Sequence, residues 1–305
     1  KIVSVNLATS YNIENCAPIG PIIGEYGIVN PVLDLSADDA ILSNNGIISY
    51  SKGNNVDQNS YQLGNTFGQN IGGSVVESWP GRHGVNIATS SDPNNRPVFV
   101  NDAINGYPAI EFCNFEADGY GSSSTYDQNV STSMEIPGGL FVNSNYTLFM
   151  VVANPTKMNV SGDNVSNINN EAIDAGSILQ GSDTLPFGKL SVGFSSNSNL
   201  IFGHNMSDLN VPISRSSNFR LLVLQFSTQE GMKAYVNDQI NPIAEDNSLN
   251  IPLTSNNGLM INSKIFDSPS ASSRTLVAEI KLFDVALNDL DREKVTTKLM
   301  SKYNL

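Results

Sequence analysis

The chain has 305 residues, 40% hydrophobic and only 15% charged, and its 16 Lys and Arg against 29 Asp and Glu leave a net charge of −13. A field of that sign repels phosphate backbones and no Lys/Arg cluster interrupts it, which argues against nucleic acid as a partner. No apolar run approaches the ~18 residues of a membrane-spanning helix, so no membrane span is expected.

The length is enough for a substantial core, in one large β domain or in a domain with a small appendage. Helix formers are scarce, while Asn, Gly and Ser recur between short apolar runs, the texture of an all-β protein with many loops. The opening Lys1-Ile-Val-Ser carries neither Met nor a signal-peptide pattern, which fits equally a mature form after removal of a leader and a piece of a larger precursor. Cys16 and Cys113 are the only cysteines. Cys113, inside Ala109-Ile-Glu-Phe-Cys113, reads as a buried thiol, and a bridge to Cys16 that ties the N-terminal segment to the body stays open as the alternative.

In chain order, residues 1–7 read as a short strand and residues 11–30 as an extended arm. Pro18, Pro21 and the glycines stop that arm from forming a helix. Its Ile13, Ile19, Ile22, Ile23, Ile28 and Val29 are too apolar for a free tail, so the arm either folds back or packs on a neighbouring molecule, a homo-oligomer or a larger particle. The domain proper then runs over residues 31–305. Strands are expected at 31–35, 74–79, 96–100, 107–112, 146–153, 177–179, 189–194, 200–202, 219–226, 232–236 and 258–261, with a polar turn or a single helical turn after Leu35. Residues 45–73 and 154–174 are long polar excursions. Ser227-Thr-Gln-Glu-Gly231 reads as a hairpin turn.

The last thirty residues are the most legible. Residues 275–284 read as a strand with Leu276, Ala278, Ile280 and Leu282 on one face and Glu279 and Lys281 on the other, which Val277 and Phe283 make partly apolar. Asn288 then caps a helix to Tyr303, with Asp289, Asp291 and Glu293 at its start, Lys298 and Lys302 near its end, and Val295, Leu299 and Tyr303 in one stripe. Some dozen short strands and one terminal helix predict a two-sheet antiparallel sandwich.

The order of the pieces resembles concanavalin A-like, laminin-G-like jelly-roll domains. The resemblance rests on Val32-Leu-Asp-Leu35, Val76-Glu-Ser-Trp79, Gly81-Arg-His-Gly84, Arg96-Pro-Val-Phe, Asn105-Gly-Tyr-Pro-Ala-Ile-Glu-Phe112, Val236-Asn-Asp238 and Ala278-Glu-Ile-Lys-Leu-Phe-Asp-Val-Ala-Leu287, over roughly residues 31–305. It implies a jelly-roll sandwich with Trp79 turned to the core. It implies no single function, because the family includes lectins, adhesion modules, enzymes and virion appendages. The strand with acidic residues at alternating positions that catalytic glucanases of the family carry is not found here.

Hydrolysis of a glycoside needs two carboxylates held across a cleft. Glu77, Glu111 and Glu279 all fall in expected strands, but isolated strand glutamates are ordinary, and Glu111 is expected to face an open side of the sheet. His83 and His204, the two histidines, have neither metal-ligand spacing nor a nucleophile-elbow context, and His204 reads as a turn residue. No catalytic residue is therefore assigned, and the chain is expected not to be an enzyme. Calcium is the credible ion, through Glu116 and Asp118 in Glu116-Ala-Asp118-Gly. Tyr120 and Tyr126 are candidate sugar-stacking side chains, and Arg82 and His83 candidate loop ligands. Asn145-Tyr-Thr and Asn159-Val-Ser are formal glycosylation acceptors. The reading that follows is an extracellular, glycan-directed binding or adhesion module. The alternative is a structural or decoration protein of a virion or other extracellular assembly, docked through residues 1–30.

Overall fold

The computed structural model describes residues 27–43, 75–82, 86–90, 96–115, 130–141, 145–154, 177–181, 190–194, 199–205, 207–253, 258–262 and 273–305. The chain divides into a unit Lys1–Asn30, of which residues 27–30 are described, and a unit Pro31–Leu305. In the second unit the β-branched and aromatic runs form strands. The first half holds β1 (Leu33–Ser36), a 3-10 turn (Ala37–Asp39), β2 (Ile41–Ser43), β3 (Val75–Pro80), β4 (Ile87–Thr89), β5 (Val98–Ile104), β6 (Tyr107–Phe115), β7 (Val130–Ser131), β8 (Met134–Ile136) and β9 (Tyr146–Asn154). The second half holds β10 (Ser177–Gly181), β11 (Leu190–Phe194), β12 (Leu200–His204), β13 (Ser207–Val211), β14 (Ser216–Ser227), β15 (Gly231–Val236), β16 (Ala244–Asp246), β17 (Leu259–Ile261), β18 (Ser273–Phe283) and α1 (Asp289–Tyr303). The protein is thus all-β, its ladders antiparallel, with one C-terminal helix.

The ladders fall into two runs. In one, β2, β3, β5, β6, β18, β9, β14, β15 and β16 pair in that order, with β1 beside the C-terminal half of β18. In the other, β4, β8, β17, β10, β11, β12 and β13 pair in order. β3 turns the corner: Val75 pairs with β5, whereas Ser78 to Pro80 pair with β4. Alternate side chains of both runs share one apolar core, with Leu148, Met150, Val152, Leu222, Leu224, Phe226, Ile280 and Leu282 from the first and Val192, Phe194, Leu200, Phe202, Leu259 and Ile261 from the second. Trp79 is fully buried in it and donates its indole N–H to the Ser36 carbonyl at 2.6 Å, so the polar edge of the ring is satisfied inside the core.

The outer face of the first run is covered by α1. Asn288 caps the helix by accepting the Asp291 N–H, and Asn304 closes it in a left-handed conformation. Val295, Leu299 and Tyr303 are buried as their spacing predicts, and each such burial contributes about 1.5–3 kcal/mol. The linker into the helix is pinned from below: the Thr147 hydroxyl donates to the Val285 carbonyl and accepts the Leu287 N–H, and the Gln225 amide donates to the Leu287 carbonyl.

The sequence reading is corrected at several points. A break in register between Val277 and Glu279 interrupts the alternation of β18, so Val277 joins Ile280 and Leu282 in the shared core in place of Leu276 and Ala278. Glu111 does not face an open sheet; it is 4% exposed. His204 ends β12 as a buried side chain and is no turn residue. The strands β4, β7, β8, β13 and β16 have two to five residues each, too short and polar to show a period of two.

Candidate functional site

Charged and hydrogen-bonding groups gather in two very different places. The first lies under the end of α1. Strand β18 points Glu279 and Lys281 away from the core, toward the helix, and both are only 1–2% exposed. Lys281 Nζ meets Asp34 Oδ1 at 2.5 Å and Glu279 Oε1 at 2.8 Å. Glu279 Oε2 accepts from Lys302 Nζ at 2.8 Å and from the Tyr303 hydroxyl at 2.6 Å. Lys302 reaches on to Asp38 Oδ2 and Ser36 Oγ, both at 3.1 Å. Burial pushes the Glu279 carboxyl up, but the two lysines outweigh it and hold the group below the usual glutamate range. Burial raises the Tyr303 phenol, and the Glu279 charge raises it further. A carboxylate so enclosed is a fastener for the helix and offers no atom to a substrate.

A second enclosed group is His204. Burial drives its pKa down to about 4, so the ring is neutral. Its Nε2–H donates to the Ile251 carbonyl at 2.8 Å, which leaves Nδ1 to accept the Tyr146 hydroxyl at 2.8 Å. The ring stacks on Phe226 with centroids 3.7 Å apart. These contacts make it a core histidine.

The other place is the outer face of the second run. Register carries one row of residues straight across it: Thr89, Glu135, Met260, Gln180, Ser191, Gly203 and Asp208 are successive cross-strand partners. At about 4.8 Å per strand the row spans about 29 Å. A neighbouring row runs Gly193, Ile201, Asn210. Because Val192, Phe202, Leu209 and Ile261 fill the core, the alternate residues Thr89, Glu135, Met260, Ser191, Ile201, Asp208 and Asn210 point outward. Thr89, Glu135, Asp208 and Asn210 are exposed, and Met260, Ser191 and Ile201 half-buried.

The floor of the face is glycine. A Cβ on Gly203 would fall on Ser191 Oγ and come within 2.9 Å of Asp208 Oδ1, so a hydroxyl and a carboxylate lean together over a position kept free of side chain. The face therefore offers carboxylate, amide and hydroxyl groups beside the small apolar surfaces of Ile201 and Met260. That combination accepts and donates hydrogen bonds to a polyhydroxylated ligand while its C–H faces rest on apolar atoms.

Of the residues singled out from sequence, Tyr120, Tyr126, His83, Glu116 and Asp118 lie outside the described residues, as do Ile13, Ile19, Ile22, Ile23 and Cys16, and the Cys113 side chain. Ile28 is buried and Val29 exposed. Arg82 is one-third exposed, its Nε held by Asp39 Oδ2 at 2.7 Å. Burial lowers its pKa, but the Asp39 hydrogen bond and the surrounding carboxylates more than reverse this. Glu77 is exposed and paired with Arg96 at 3.3 Å. Among the described residues no group of three His, Cys, Asp or Glu is placed to hold a metal ion, and no helix is long and apolar enough to cross a membrane, which says nothing of a β-barrel. Sequence reasoning missed Glu135, Ser191, Gly203, Asp208 and Asn210. Leu-Ser-Val-Gly-Phe194 and Leu-Ile-Phe-Gly-His204 alternate large residues with mostly small ones, and that was the available signal for a face stripped of bulk.

The architecture defines an all-β protein of antiparallel ladders with a C-terminal helix. No family model matches the chain, and no curated protein matches it. Among solved structures it is similar to the botulinum neurotoxin serotype G binding domain, at 14% identity and a TM-score of 0.51, over 89% of this chain and 52% of that one. Trypanosoma rangeli sialidase in complex with sialic acid matches at 14% identity and a TM-score of 0.48, over 74% of this chain and 31% of that one. The binding domain of botulinum neurotoxin DC in complex with SialylT matches at 12% identity and a TM-score of 0.41, over 70% and 50%. The chain thus spans about a third to a half of the solved chains it matches. At such identities the likeness concerns the fold.

Proposed function

We propose that the chain is a non-catalytic, concanavalin A-like jelly-roll module that binds neutral glycans on the outer face of its second sheet. The carrying observation is the row Thr89–Glu135–Met260–Gln180–Ser191–Gly203–Asp208, with its glycine floor and mixed polar lining. Glu135 and Asp208, in a chain of net charge −13, disfavour an anionic sugar such as sialic acid and favour ligands whose hydroxyls donate to carboxylates. An extracellular setting follows from this reading.

The test is a screen of neutral and sialylated oligosaccharides, read for both binding and turnover. Binding of neutral sugars without hydrolysis, weakened about tenfold by Asp208→Ala or Asn210→Ala, is the expected result; the loss of one hydrogen bond gives a factor of that order. Binding that survives both changes but is lost in Tyr120→Ala, Tyr126→Ala, Arg82→Ala or His83→Ala moves the site to those loops. Turnover defeats the non-catalytic reading. Repeating the titration with calcium and with a chelator tests Glu116 and Asp118 as ligands. A second reading, a decoration protein of a virion or other extracellular particle, is favoured by Val29, an arm residue 40% exposed. An oligomeric parent beside a folded, monomeric form lacking residues 1–30, read by light scattering at matched concentration, supports it.

A further inference from the structure

The hairpin between β5 and β6 turns on two residues, Asn105 and Gly106, both with positive φ (48° and 88°), the pattern that lets a two-residue loop follow the twist of its strands. The same Asn105 reaches the end of the chain. Its Nδ2 donates to the Tyr303 carbonyl at 2.6 Å and approaches the Asn304 carbonyl at 3.4 Å, where α1 leaves its last acceptors without helical partners. Asp102, itself at positive φ, takes the Gly106 N–H on Oδ1 at 2.8 Å. Asn105 and Gly106 are both exposed to water.

Asn followed by Gly is the pairing in which the next backbone nitrogen meets least steric hindrance in attacking the side-chain amide. We propose that Asn105 is a modification site, a deamidation point whose conversion releases the end of α1 from the sheet. The Gly106 nitrogen bonds to Asn105 Cγ, the side-chain amide nitrogen leaves as ammonia, and water opens the resulting succinimide to aspartate or isoaspartate. The reaction consumes one water, releases one ammonia and transfers no electrons.

The fold retards the first step in three ways. Asp102 holds the Gly106 N–H and places a negative charge where an amide anion would have to form. The turn fixes Asn105 in the left-handed region, and the Tyr303 carbonyl holds the amide group. The product reverses the latch. A carboxylate facing two carbonyls replaces a donor with an acceptor, and it puts negative charge at the negative end of the helix dipole. Isoaspartate also lengthens the backbone of a two-residue turn.

The test is to age the full chain at mildly alkaline pH and map isoaspartate by peptide mass spectrometry, with a short peptide spanning residues 102–109 beside it. Amide exchange at residues 300–305 is followed in the same samples. Conversion at Asn105 slower in the protein than in the peptide, and faster in Asp102→Ala than in the parent, is expected. Asn105→Asp made directly should exchange residues 300–305 about tenfold faster, the factor for one ordinary hydrogen bond, while β9 and β14 stay protected. Asn105 that remains an amide after the peptide has fully converted and in Asp102→Ala alike overturns the site. Unchanged exchange at 300–305 in Asn105→Asp overturns the release.

Discussion

The two outer faces of this molecule solve opposite problems with the same backbone. The first, on β18, β9 and β14, lies under a helix and encloses Glu279, Lys281 and Asp34 in contacts of 2.5–2.8 Å. The second, on β8, β17 and β10 to β13, has no helix over it among the described residues and keeps Glu135, Asp208 and Asn210 exposed beside Gly203. A charge under a helix must be paired, because an unpaired buried ion costs several kcal/mol. A charge on an open face costs little and stays available to a ligand. Buried, paired charges therefore mark the fastened face, and missing bulk marks the open one.

That contrast breaks most severely at Lys281. Lys281→Met leaves Glu279 and Asp34 facing each other without their shared cation, and chemical denaturation is expected to show a loss of about 3–5 kcal/mol. A loss under ~1 kcal/mol would mean that the network is not what fastens the helix.

Acid comes next. His204 has a folded pKa of about 4 against 6.5 in the unfolded chain, so the unfolded state binds the extra proton between those values. Stability from this group is complete above 6.5 and declines as pH falls toward 4, by about 3 kcal/mol in all. Glu279 adds to the decline at lower pH, because its depressed pKa gives stability above the unfolded value that is lost as pH falls through the folded one. Denaturation followed from pH 7 to 4 should show this slope, and His204→Gln should flatten it in that window.

Tyr303→Phe removes the hydroxyl that donates to Glu279 Oε2 and meets the Ser36 side chain, and a loss of about 1.5–3 kcal/mol is expected in the same assay. Asp208→Ala, on the open face, should leave the denaturation midpoint within about 0.5 kcal/mol of the parent. Comparable losses for these two would erase the distinction between the faces.

The terminal strand and helix were legible because each residue there obeys a local rule: Asn288 caps, Val295, Leu299 and Tyr303 share a stripe, and Asp289 and Lys302 suit the dipole. The register break at Val277 was not, since a bulge leaves no compositional trace. The burial of Glu279 and Lys281 was not legible, because nothing local says that the helix six residues past the strand will fold back over them. The open row was illegible for a stronger reason. Thr89, Glu135, Ser191 and Asp208 are brought together by register between distant strands, and each alone is an unremarked polar residue. Only the small residues alternating along β11 and β12 hinted at it. The aromatic and charged loop residues that drew attention, Tyr120, Tyr126 and His83, lie outside the described residues.

The most direct measurement is an equilibrium titration of a neutral oligosaccharide against the parent chain, Asp208→Ala and Asn210→Ala, with the unfolding midpoint of each recorded alongside. Affinity lower by about tenfold in each variant, at an unchanged midpoint, is the result predicted if the second sheet binds the sugar. Affinity equal in all three proteins would contradict it.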